Sequence, residues 1–132
     1  MKKRDIETRE DVNLVVSTFY DKIRKDVFLG PFFNKVITDW PSHIERLTSF
    51  WETTLFTTKK LEHKYYGNPL EVHVKVDQEN NQRITQEHFG NWINLWFETI
   101  DGLFEGEYAS KAKHKAQKMS TFLYLNIFQA RQ

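Results

Sequence analysis

Five histidines, His43, His63, His73, His88 and His114, are the side chains of this sequence best suited to bind a metal or move a proton near neutral pH. Their surroundings narrow the chemistry. None is preceded by glutamate at the Glu-x-x-His spacing of di-iron bundle sites, and there is no H-E-x-x-H pair. No G-x-S-x-G elbow singles out a serine nucleophile, and no glycine-rich loop offers backbone N–H groups to a phosphate. The chain has no cysteine, which removes disulfide frameworks, thiolate zinc sites, iron–sulfur clusters and thioether-linked haem. What remains is single histidines set among aromatic residues.

Those aromatics are dense. Eleven Phe, five Tyr and four Trp make up 15% of 132 residues. Flat side chains in that number can fill a core, or line a slot for a large planar ligand. An isolated histidine in such a slot can hold a haem iron axially, with a second histidine facing a bound gas from the other side. The residues by themselves also permit a surface or capping role for each histidine, and core packing for Tyr20 and Trp92.

Helices must position these groups. Val12, Val15, Val16, Phe19, Tyr20 and Ile23 form a stripe of helical period, with Thr8 as its N-cap. The pattern breaks at Gly30-Pro31. Ser42-His43-Ile44-Glu45 reads as a capping box opening a second helix, whose apolar face is Ile44, Leu47, Phe50, Trp51 and Leu55. Thr85 caps a third, with Ile84 and Phe89 placed as a hydrophobic staple and a broad face from Phe89 to Phe104. A fourth runs from about Glu107, with Ala109, Ala112, Ala116, Met119, Leu123 and Ile127 inward. Four helices make the expected class all-α.

The segment Leu70–Val76, LEVHVKV, conflicts with that class. It alternates apolar and polar residues like a half-buried strand with His73 on the wet face. Yet Asn68-Pro69 before it has the form of a helix start, and a lone strand would have no partner for its backbone groups. A short helix from Pro69 is therefore expected.

Composition bounds the rest. One domain, residues 1–132, is expected from length. Nineteen basic and eighteen acidic side chains leave a net charge of +1, which argues against a nucleic-acid binder. The lysines at 111, 113, 115 and 118 read as a solvated helix face. No apolar run approaches a membrane span and no signal peptide is readable, so a cytoplasmic protein is expected; it is also expected to be a monomer.

Several segments together resemble the truncated haemoglobins, specifically the third group. They are FYDKIRKDVFLGPFF (19–33), DWPSHIERLTSFW (39–51), YYGNPLEVH (65–73), EHFGNWINLWFETID (87–101) and FEGEYASKAKHKAQKM (104–119). The absence of a Gly-Gly pair fits the same group. The resemblance implies a globin-like two-over-two helical sandwich enclosing one haem b. His73 matches the proximal ligand of the iron. Tyr20 and Trp92 match the distal hydrogen-bond donors, and His43 the residue at the mouth of the distal side. Phe33, Leu47, Trp51 and Phe89 match positions around the haem, with Lys64 and Tyr65 near its edge. Two features depart from the family: a short segment between Phe33 and Trp40, and the polar loop DQENNQR (77–83) in place of a proline-containing link.

The implied function is binding of O2, NO or other diatomic gases, with two donors over the iron favouring slow oxygen release and chemistry on the ligand. NO dioxygenation or peroxide activation would each need a reductase that the sequence does not reveal. The alternative is a haem-based gas or redox sensor acting through a partner. A third reading is a haem-free helical interaction domain.

Overall fold

The computed structural model describes residues 3–56 and 86–130, and every regular element among them is an α-helix. Helix α1, Arg9–Lys25, opens on the predicted Thr8 cap. The Thr8 hydroxyl accepts from the Asp11 backbone N–H, and the Asp11 carboxylate accepts from that of Thr8, a reciprocal capping box. Its predicted stripe is buried throughout, with Val16, Phe19 and Ile23 fully sealed from solvent.

The break at Gly30-Pro31 is a new helix rather than a loop: α2 spans Gly30–Val36. The Asp26 carboxylate accepts from the N–H groups of Phe28 and Leu29, and its carbonyl accepts from that of Gly30, turning the chain sharply. A Cβ on Gly30 would sit 2.7 Å from the Arg24 carbonyl oxygen, so the turn requires glycine.

Helix α3, Trp40–Leu55, begins ahead of the predicted box. Asp39 is the cap, accepting from the Ser42 N–H at 3.2 Å, with Pro41 in the first turn where its missing N–H costs nothing. Glu45 is instead paired with Arg9 of α1. Arg9 also donates to the buried Glu52 at 2.9 Å and to Ser49, reading three residues on one face of α3. Farther along, Asn13 donates to Thr48, which is fully buried and bonded to the Ile44 carbonyl.

Helices α4, Gln86–Leu103, and α5, Glu107–Ala130, form the second pair. The Trp96 indole N–H donates to the Ala112 carbonyl across their buried interface. Gly106, at φ +147°, supplies no side chain to cap α5. Asp5 does so from the far end of the chain, accepting from the N–H groups of Tyr108 and Ala109 at 2.8 and 2.9 Å.

These contacts make two layers. α1 packs on α3 and α4 packs on α5, while α1 crosses α4 and α3 touches α5. The core lies between the pairs, where Phe19 and Trp96 meet edge to face at 5.0 Å. The predicted strand-or-helix at 70–76, the Thr85 cap and the Ile84 staple lie outside the described residues.

Candidate functional site

Tyr20, on the last turns of α1, is the hub. Its apolar neighbours on the stripe bury it to 6% exposure. Its ring meets Phe33 of α2 at 6.2 Å, Trp40 of α3 at 5.7 Å and His43 of α3 at 5.3 Å, the last edge to face. Burial pushes the phenol well above its ordinary pKa, while a hydrogen bond with the Trp92 indole pulls the other way. Tyr20 therefore stays a neutral O–H, a donor over the whole physiological range.

Trp92 comes from α4 and is half-buried. It stands edge-on to Phe19 at 5.3 Å and lies parallel to Trp96, at 6.0 Å and 4°. His43 is half-buried with its Nε2 sealed from solvent, rather than projecting outward from the first turn of its helix. One turn earlier, Trp40 meets the imidazole at 5.8 Å and 90°, and the Arg24 guanidinium covers the Trp40 ring at 4.8 Å. Trp40 and Arg24 were not singled out from the sequence. The available signal was Trp40 three residues before His43, on the same helical face.

The other expected site residues fall in different places. Phe33 is half-buried beside Tyr20, and Leu47, one turn after His43, is half-buried on α3. Trp51 is buried and stacked on Trp96 at 4.8 Å. Phe89 is half-buried and packs edge-on against Tyr124 of α5 at 5.7 Å. His73, Lys64 and Tyr65 lie outside the described residues, as does His63. His88 stacks on Phe28 at 4.5 Å, and burial lowers its pKa. His114 is exposed on α5. Among the described residues no cluster of His, Asp and Glu could hold a metal ion by itself.

The result is a wall carrying three polar tips of different kinds, a phenol, an indole N–H and an imidazole, on an otherwise aromatic surface. It suits an apolar planar group whose small polar ligand needs hydrogen bonds on one side.

No family model matches the chain. The fold nevertheless defines its class, an all-α globin fold. It superposes on the crystal structure of a group III truncated haemoglobin from Campylobacter jejuni with a TM-score of 0.81, covering 96% of this chain and 95% of that one at 27% identity. Within the class, the sequence is similar to the group 3 truncated haemoglobin Ctb of C. jejuni, 28% identical over 117 residues that span 86% of this chain and 85% of the relative. Both likenesses point to the third group, as did the motifs.

Proposed function

We propose that the chain is a haem protein binding O2 and other diatomic gases at an iron held by His73. The observation that carries this reading is the Tyr20 hub, a buried neutral phenol with Trp92 and His43 around it, in a truncated-globin fold. The residues present fit the cofactor: aromatic rings for the porphyrin face and polar tips for a ligand of partly negative character. Bound haem b would supply the iron at which the gas coordinates and electrons are exchanged.

The protein's own residues then set the outcome. The Trp92 N–H donates to the Tyr20 oxygen, which leaves the Tyr20 O–H to donate to the ligand, and Phe19, Phe33 and Trp40 would exclude bulk water from those bonds. Donors held this way retain a ligand carrying partial negative charge more strongly than neutral CO. That balance favours slow oxygen release and reaction at the site, NO dioxygenation or peroxide activation, over transport. His43, at the aromatic corner of Tyr20 and Trp40, controls the approach of the ligand.

The absorption spectrum of the purified protein tests the reading. A Soret band is expected on reconstitution with hemin, and its absence would remove the haem assignment altogether. His73→Ala should abolish haem retention, with imidazole in the buffer restoring the spectrum. Unchanged retention without imidazole would mean that another side chain ligates the iron.

A further inference from the structure

Three of the four tryptophans form one stack through the core. Trp51 of α3 lies on Trp96 of α4 at 4.8 Å with 26° between planes, and Trp96 lies parallel to Trp92 at 6.0 Å and 4°. Phe19 closes the edge of the stack, standing perpendicular to both Trp92 and Trp96. Trp92, in turn, shares a hydrogen bond with Tyr20, so the stack runs from the ligand-facing wall into the interface of α4 and α5.

Packing alone does not ask for this arrangement. Edge-to-face contacts satisfy aromatic quadrupoles at least as well, and the chain uses them at its other buried ring pairs around Phe19. Indoles this close can also exchange an electron, so a vacancy on one ring can be filled by its neighbour. The Trp96 N–H donates to the Ala112 carbonyl at 3.2 Å, and a carbonyl cannot take the proton away. An oxidised indole there keeps its proton and recovers by electron return alone. The Tyr20 phenol is a poorer store, because its oxidation releases a proton and burial disfavours the phenolate that would let it go.

We propose that Trp92, Trp96 and Trp51 are a redox-active triad that takes up an oxidising equivalent generated at the ligand site, a role that rests on the haem reading above. Hydrogen peroxide is the oxidant. Over the full cycle its O–O bond breaks, two electrons and two protons are taken up and two waters leave. In the first stage bound haem would supply one of the electrons and the indole stack the other, which would leave a cation radical on the tryptophans. Two one-electron transfers from an enediol reductant of the ascorbate class restore both centres.

The test uses the full-length ferric haem protein, mixed with hydrogen peroxide, frozen and read by electron paramagnetic resonance. With indole-deuterated tryptophan, the radical signal should narrow. Trp96→Phe keeps a ring in the slot and cuts the stack at its middle. It should weaken the indole signal several-fold, speed peroxide bleaching of the Soret band to a similar degree, and remove the exciton couplet from the near-ultraviolet circular dichroism. Trp51→Phe should give a partial version of the same effects, and ascorbate should erase the radical in wild type. A radical insensitive to tryptophan deuteration would overturn the triad, as would equal signal and bleaching in wild type and both variants. A wild-type protein without a Soret band fails before peroxide is added and overturns the haem reading itself; a normal Soret band without an indole radical overturns the triad alone.

Discussion

Tyr20 brings a polar tip into an apolar core, and a buried hydroxyl is worth keeping only where it meets a partner. Trp92 supplies one partner, and the proposed ligand supplies the use. Replacing Tyr20 with Phe removes the donor and little volume. The oxygen dissociation rate should rise by roughly tenfold to a hundredfold, the equivalent of about 1.5–3 kcal/mol in a hydrogen bond to a charged acceptor. Stopped-flow release of oxygen into excess CO reads this directly, and an unaltered rate would remove Tyr20 from the ligand's surroundings. A second single-residue consequence concerns acid. The hydrogen bonds that Arg4 donates to both carboxylate oxygens of Asp11 are the main cause holding its pKa down to about 2, with help from the backbone N–H groups of Glu7 and Thr8. Because the folded value lies below the unfolded one of about 3.9, the stabilisation is complete above that pH and is lost as pH falls toward 2. Thermal melts of Asp11→Asn should lack that part of the acid slope seen in wild type.

At the scale of elements, the helices are joined by polar fastenings placed at their ends. Arg9 is the costliest to remove. Its loss strands Glu52, which is only 7% exposed, and Arg9→Ala should destabilise the fold by about 3–5 kcal/mol in urea titrations. Replacing both partners with Met should recover much of that loss. Gly106→Ala combines φ +147° with a Cβ placed 2.5 Å from the Asp5 Cγ, so it should cost about 1–3 kcal/mol or displace the Asp5 cap. Hydrogen exchange at Tyr108 and Ala109 distinguishes a displaced cap from global strain. The long helices were readable from periodicity because each buries one continuous face, as α1 does from Val12 to Ile23. Helix α2 was not, since its seven residues are too few to show a period and no side chain caps it. The start of α3 was misplaced because SHIE satisfies the capping-box pattern, while Asp39 takes the Ser42 N–H and Arg9 claims Glu45.

For the molecule as a whole, the class followed from helix count and the lack of a partner for any strand, and the two-over-two arrangement from the motifs. The candidate site was legible only through resemblance. Tyr20, Phe33, His43 and Trp92 sit on four helices, and no local pattern announces that they meet. Arg24 over Trp40 is the same kind of fact, a contact between α1 and α3 that spacing within either helix cannot encode.

The cap on α5 has a temporal side. Asp5 leaves a ribosome more than a hundred residues before the N–H groups it serves, at Tyr108 and Ala109. Throughout synthesis the start of the last helix has no cap of its own. Only once α5 has been made can the segment before α1 close over the α4–α5 junction, where the Arg4 carbonyl also accepts from the Glu105 N–H and its guanidinium covers Phe104. The segment before α1 thus finds its place only after the helices that follow it, and a bulky group attached ahead of Arg4 should be felt in helix α5 before it is felt in α1.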